Sequence, residues 1–137
     1  MISLKEIIYE VLNEVVISVS DLDDTLEQYR KDTNWTDWYM SGGCYTFADG
    51  LNKYLGNRGK YVAIIEPETK AMVHVCVLYG GKYCDYNGCR SKNDILSDIT
   101  INGTPIWKTI NRSQISSEHN FDNSEVNSIL KDLNKIR

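Results

Sequence analysis

The sequence predicts an α+β fold in which a cysteine-bearing helix packs on a small antiparallel sheet, with further helices at both ends of the chain. Residues 43–55 and 121–137 carry apolar side chains at helical spacing. Between them lie short segments that are rich in β-branched and aromatic residues, a composition typical of strands: KYVAIIEP, MVHVCVLYG and KYCDYNG. Because Gly80-Gly81 joins the last two segments, we predict that they form a hairpin with a two-residue turn.

Length and composition indicate one domain over residues 1–137, divided into N-terminal helices (1–33), the cysteine helix with the strand meander (41–110) and a C-terminal helix (121–137). Apolar residues make up 42% of the chain, which is enough to build a core. The net charge is −4 and no long basic run is present, so nucleic acid is not an expected partner. No apolar run is long enough to span a bilayer, so a membrane is not an expected partner either.

The N-terminal segment is predicted to be an amphipathic helix, because apolar residues follow helical spacing over residues 2–16. A signal peptide would have an uninterrupted apolar stretch, whereas this one is broken by charged residues: Lys5, Glu6, Glu10 and Glu14. We therefore expect a cytoplasmic protein, in which the four cysteines are reduced. Composition does not predict the oligomeric state.

A second helix should follow, with Ser20 or Asp21 as its N-cap and a short apolar stripe of Leu22, Leu26 and Tyr29. The segment NWTDWYMSGG, residues 34–43, is predicted to be a loop rich in aromatic residues. Since loops are usually polar, its tryptophans and tyrosine need either burial or a ligand.

The helix over 43–55 presents one continuous apolar face, formed by Cys44, Phe47, Ala48, Leu51 and Leu55. Cys44 opens this face directly after two glycines, and Gly56 is a suitable C-cap. Cys44 therefore stands where a loop becomes a helix.

Three strands are predicted next, over 60–67, 72–80 and 82–88. A short capped helix over 91–99 and a further strand over 103–110 follow. The C-terminal helix has one apolar face, formed by Val126, Ile129, Leu130, Leu133 and Ile136.

The hairpin register brings a histidine and a carboxylate together. If Gly80 and Gly81 are the two turn residues, Asp85 lies opposite Cys76 and diagonal to His74. All three side chains then share one face of the sheet, and diagonal neighbours are roughly 7–8 Å apart at the backbone. Asp85 is therefore expected to hydrogen-bond the His74 ring.

Cys44, His74 and Asp85 have the side chains of a thiol-based catalytic triad. A helix N-terminus and a neighbouring imidazolium both favour the thiolate form of a cysteine. Histidine then serves as general base and acid, and the carboxylate fixes the orientation of its ring. The backbone N–H of Cys44 is placed to donate to an oxyanion, and Gly43 allows close approach of the backbone.

The stretch GGCYTFADGL followed by HVCVLYGGKYCDYNG resembles the papain-like and transglutaminase-like cysteine enzymes over about residues 41–88. The resemblance implies a core in which the cysteine opens a helix packed on an antiparallel sheet, with Cys44 as nucleophile, His74 as base and Asp85 as orienting acid. It implies peptide or isopeptide hydrolysis, glutamine deamidation or acyl transfer on a protein or small amide substrate, without a cofactor.

One departure from the papain-like pattern concerns the oxyanion hole. Papain-like peptidases place a glutamine a few residues before the cysteine, and no glutamine lies just upstream here. The indole N–H of Trp38 or of Trp35 is the expected substitute donor, with Tyr45 and Cys76 bordering the site.

Other interpretations of the same residues stay open. His74 and Cys76 with Cys84 and Cys89 supply four possible zinc ligands, but Cys84 should face away from Asp85, so we predict no metal and assign Cys84 and Cys89 to packing. His119 is expected to be a solvated loop residue. The alternative function is a catalytically inactive papain-like fold that acts as a protein-interaction module through residues 35–39.

Overall fold

The structure is a computed structural model that describes residues 17–40, 42–119 and 121–136. The helix predicted over residues 2–16 lies outside the described residues. In the part of the chain that is described, no helix is long and apolar enough to cross a membrane.

The architecture is α+β, as predicted. The described helices are α1 (Val19–Thr33), α2 (Thr36–Tyr39), α3 (Cys44–Tyr54), α4 (Lys92–Leu96), α5 (Arg112–Glu118) and α6 (Asn123–Ile136). The described strands are β1 (Lys60–Ile65), β2 (Met72–Tyr79), β3 (Lys82–Asp85), β4 (Gly88–Arg90) and β5 (Ile106–Ile110). They form one sheet of order β4-β3-β2-β1-β5, in which every neighbouring pair is antiparallel.

The predicted hairpin register is confirmed. Tyr79 pairs with Lys82 and Val77 with Cys84, so the two glycines form the turn between β2 and β3. Gly80 and Gly81 have φ angles of 57° and 79°, a left-handed backbone conformation that favours glycine.

Helix α3 lies in the main core. Its predicted apolar face is buried, and Leu51 is 0% exposed. From Phe47 to Leu55 the face packs in one cluster with side chains of α1, α6 and alternate residues of β2, among them Val75 and Val77. A smaller cluster contains Cys76, from the opposite side of β2, together with Ile95 of α4. Both faces of the sheet are therefore covered, as the long apolar strands require.

Some boundaries differ from the prediction for local reasons. Helix α1 begins earlier than expected, because Ser18 is the N-cap and its hydroxyl accepts the Asp21 N–H at 3.0 Å. The loop over 34–43 contains the short helix α2. Helix α5 was not predicted, although Asn111 and Gln114 form a capping box at its start. This pair of residues is visible in the sequence and could have predicted the start of α5.

The predicted strand over 82–88 is two strands. β3 ends at Asp85, the chain turns, and β4 runs back from Gly88. This turn places Cys89 directly opposite Cys84, and the two form a disulfide. The expectation that all four cysteines are reduced, and that these two only fill space, is therefore wrong for this pair. Cys44 and Cys76 are free thiols.

Candidate active site

Cys44 is the first residue of α3, and the backbone before it is held close to Trp38. The Gly43 N–H donates to the Trp38 carbonyl oxygen at 2.8 Å. A Cβ atom on Gly43 would lie 2.5 Å from the indole nitrogen of Trp38, so no other residue fits without displacing the ring. The Cys44 side chain is 7% exposed. The thiol is thus fixed at a helix start, at the edge of the core.

His74 is buried on β2 beside an irregularity in the sheet. The pairs Ile64–His74 and Ile65–Met72 skip Val73, which is an extra residue on β2. A bulge of this kind bends the strand and changes the direction of neighbouring side chains. The bulge could not be predicted from the sequence, because the alternation of apolar residues continues through it.

His74 and Asp85 are in contact. Nε2 of the ring lies 3.0 Å from Oδ2 of Asp85, and both side chains are buried. The other carboxylate oxygen, Oδ1, accepts the Asn87 N–H at 2.9 Å. Asp85 therefore both caps the turn after β3 and fixes the orientation of the imidazole.

Behind Asp85 lies an ion-pair network that sequence reasoning missed. Arg90 Nη2 is 3.3 Å from Asp85 Oδ1, and Arg90 Nη1 is 2.6 Å from Asp98 Oδ2. Burial works against ionisation of Asp98, but hydrogen bonds from Arg90 and Asn87 hold its pKa below the usual value. The network compensates the buried charge of Asp85. The network could not be predicted from the sequence, because Arg90 approaches Asp85 only through the unpredicted strand β4.

The electrostatics of His74 involve all three residues of the predicted triad. Burial lowers the pKa of the imidazole, but hydrogen bonds with Asp85 and Cys44 and the negative charge available at both outweigh it, so the pKa is raised to about 9. Nε2 is engaged by Asp85, while Nδ1 has no hydrogen-bond partner of regular geometry among the described residues. Nδ1 is therefore the ring nitrogen that remains for the thiol of Cys44.

Cys76 is the second free thiol, and it is fully buried. Its Sγ lies 3.7 Å from the carbonyl oxygen of Val62. Burial strongly raises the pKa of this thiol, and the negative charge available at Asp85 and Cys44 adds to the effect. Cys76 thus borders the site as a neutral thiol.

Three oxyanion donors are expected from the sequence: the backbone N–H of Cys44 and the indole N–H groups of Trp38 and Trp35. The Trp38 indole N–H donates to Glu125 Oε1 at 2.8 Å, so it is already engaged. The Trp35 side chain is 54% exposed. Cys44 itself is the first residue of α3, and the backbone N–H groups of a first turn have no acceptor within the helix. The backbone at Cys44 is therefore the donor that the geometry supports best.

Tyr45 directly follows Cys44 on α3, and its ring packs against the segment after α5. It stacks on His119 with centroids 4.3 Å apart and an interplanar angle of 14°. His119 follows the end of α5, as expected for a loop residue, but it is half-buried and not fully solvated. The stacking joins the segment after α5 to the start of α3, a long-range contact that local sequence patterns do not encode.

No group of three or more histidine, cysteine, aspartate or glutamate side chains within the described residues is arranged to hold a metal ion. Two of the four residues considered as zinc ligands, Cys84 and Cys89, are joined to each other. Comparisons with protein-family models, with curated proteins and with solved structures found no match for this chain.

Proposed function

We propose that this protein carries out thiol-dependent acyl chemistry on an amide or a related carbonyl compound, with Cys44 as nucleophile, His74 as general acid and base, and Asp85 as the orienting carboxylate. The observation that carries the proposal is the buried His74, hydrogen-bonded to Asp85 and with its pKa raised to about 9 by Asp85 and Cys44. A buried imidazolium beside a thiol at a helix start is the arrangement that activates a cysteine.

In the proposed reaction the Cys44 thiolate attacks the carbonyl carbon of the amide, and the backbone N–H at the start of α3 stabilises the oxyanion. His74 donates its ring proton to the leaving amine as the C–N bond breaks, which leaves a thioester on Cys44. Water or an amine then attacks the thioester and gives a proton to His74. The thiolate leaves, and the thiolate–imidazolium pair is restored. Hydrolysis, deamidation and acyl transfer differ only in the attacking and leaving groups.

The first test is a titration of the His74 ring by NMR. The midpoint should lie near 9 in the wild type, because Asp85 and Cys44 favour the imidazolium. Asp85→Asn and Cys44→Ala should each lower the midpoint, since each removes a group that raises the pKa while burial continues to lower it. His119 is the other histidine of the chain, and a His119→Gln variant assigns the signals. A midpoint that moves in neither variant would contradict the interaction of the His74 ring with Asp85 and Cys44.

The same shift has a consequence for stability. Because the pKa of His74 is raised above its ordinary value of 6.5, its protonation stabilises the fold fully below pH 6.5, and that contribution is lost as the pH rises through about 9. The free energy of unfolding should therefore decline over this window, and the decline should be smaller in Asp85→Asn.

The second candidate function is an inactive fold that binds a protein partner, and it is favoured by the exposed indoles of Trp35 and Trp38. The two candidates differ in thiol reactivity at neutral pH. Iodoacetamide should modify Cys44 at least about tenfold faster than the buried thiol Cys76 if Cys44 is activated. Peptide mapping by mass spectrometry measures both rates. Equal, slow modification of both thiols would support the interaction module.

A further inference from the structure

A groove lies between the end of α1, helix α2 and helix α6, with a volume of about 500 Å³. We call it the tryptophan–acid groove after the lining residues that matter here: Trp35, Trp38, Asp122, Glu125 and Asp132. It reaches the candidate active site through Trp38, whose ring packs against Gly42 and Gly43, the residues directly before Cys44.

The indoles of the groove are unusually exposed. Trp35 is 54% exposed and Trp38 is 45% exposed, and they are two of the three large apolar side chains that are exposed in the described part of the chain. Tryptophan has a large apolar ring system, and two neighbouring exposed indoles form the kind of apolar patch that occurs at binding sites. The π-face of an indole attracts cations more strongly than that of any other side chain.

The charged side chains that line the groove carry negative charge. Three carboxylates line it, from Asp122, Glu125 and Asp132, and no lysine or arginine among the described residues belongs to its lining. Hydrogen bonds from the side chain of Ser124 and from the backbone of Ser124 and Glu125 hold the pKa of Asp122 below its usual value, so this group stays ionised. Glu125 accepts the hydrogen bond of the Trp38 indole at 2.8 Å, which fixes the ring beside the acids.

These features decide between possible occupants. An anionic group would be repelled by the carboxylates, and a purely apolar group would remove them from water without compensation. A cationic group on an aliphatic stem satisfies both parts of the groove, because its stem packs on the indoles and its charge meets the carboxylates.

We propose that the tryptophan–acid groove is a substrate subsite that takes a lysine or arginine side chain next to the carbonyl attacked by Cys44, so that the substrates are peptides with a basic residue beside the reacting acyl group. This proposal rests on the proposed function, and it adds the substrate class. It assigns the two tryptophans to substrate binding in place of the oxyanion role expected from the sequence.

The test uses peptide vinyl sulfones, which alkylate an active-site cysteine, with lysine, norleucine or glutamate beside the electrophile. Norleucine keeps the aliphatic stem of lysine without its charge. Labelling of Cys44, followed by intact-protein mass spectrometry, should be fastest with lysine, slower with norleucine and slowest with glutamate. We expect about a tenfold difference between lysine and glutamate, which corresponds to about 1.4 kcal/mol. The preference should shrink at about 1 M salt, where the Debye length is about 3 Å.

Two variants assign the effect to the groove. Asp132→Asn should reduce the advantage of lysine over norleucine, and Trp35→Ala should slow labelling by both probes. Asp24→Asn makes the same charge change at an exposed position of α1 outside the groove, and it should leave the preference unchanged. Iodoacetamide is too small and uncharged to need the groove, so its rate measures the reactivity of Cys44 itself in each variant, and the probe rates are compared relative to it.

The outcomes separate this proposal from the proposed function. Rates within about a factor of two for all three probes would overturn the subsite. So would an advantage of lysine over norleucine that survives Asp132→Asn, or labelling by these two probes that Trp35→Ala does not slow. Failure of iodoacetamide to modify Cys44 in preference to Cys76 would overturn the enzyme itself. If iodoacetamide labels Cys44 selectively but the three probes react at similar rates, the proposed function is retained and only the preference for basic peptides is rejected.

Discussion

Replacing Cys44 by alanine should lower activity on any substrate by at least about 10⁴-fold, as removal of a covalent nucleophile does, and should hardly change stability. The side chain is 7% exposed and belongs to neither apolar cluster. Its removal leaves at most a small cavity at the first turn of α3, with an expected cost of about 1 kcal/mol.

The matched control lies two turns further along the same helix face. Leu51 is 0% exposed within the main apolar cluster, so Leu51→Ala should cost about 2–5 kcal/mol of unfolding free energy. Denaturant midpoints of the two variants measure the contrast. If Cys44→Ala destabilises as much as Leu51→Ala, and the wild-type thiol is inert at neutral pH, Cys44 is a core residue and not a nucleophile.

The parts of this molecule that local chemistry determines were predictable. The helical spacing from Cys44 to Leu55 follows from a period of 3.6 residues and one buried face. The contact between His74 and Asp85 follows from the two-glycine turn, because the turn sets the register and the register sets which side chains share a face. A single correct turn assignment thus placed two residues that are eleven positions apart.

The residues that sequence reasoning missed act over longer distances or depend on a single unpredicted strand. Arg90 and Cys89 both lie on β4. Their contacts with Asp85 and Cys84 form because the chain turns after Asp85 and β4 runs back along β3. The Asn87-Gly88 pair is a turn signal, but the strand-like composition of residues 82–88 predicts one strand that ends with this pair. The bond from Trp38 to Glu125 joins residues 87 positions apart, and no local pattern encodes it.

The second large effect is expected at a buried carboxylate on the same helix. Asp49 is 0% exposed and accepts hydrogen bonds from Arg112 Nε at 3.0 Å and Nη2 at 3.1 Å, and from the Tyr61 hydroxyl at 2.8 Å. These contacts tie α3, which carries Cys44, to the start of α5 and to β1. Removing Arg112 leaves a buried carboxylate whose remaining partners among the described residues are Tyr61 and the Lys53 ammonium, at 3.6 Å.

Arg112→Ala should therefore lower the free energy of unfolding by about 3 kcal/mol, the cost of leaving a buried charge without its main partner. Asp49→Asn should cost less, because the amide oxygen can still accept from Tyr61 and the freed Arg112 side chain, already 44% exposed, can turn to water. Lys31→Ala is the control: it breaks an ion pair with Glu27 in which both side chains are more than half exposed, and it should cost at most about 0.5 kcal/mol.

The double variant Asp49→Asn with Arg112→Ala distinguishes a buried charge from simple loss of packing. If Arg112→Ala is destabilising because it leaves the buried Asp49 carboxylate unpaired, neutralising that carboxylate should recover part of the lost free energy of unfolding. The double variant should then be more stable than Arg112→Ala alone. Urea denaturation of the four proteins measures the coupling. Additive losses would mean that Arg112 stabilises the fold through its packing over the Phe121 ring, at 4.3 Å, and not through Asp49. A coupled loss, accompanied by slower iodoacetamide modification of Cys44, would mean that the Asp49–Arg112 ion pair holds α3, and with it Cys44, in the position that the proposed reaction needs.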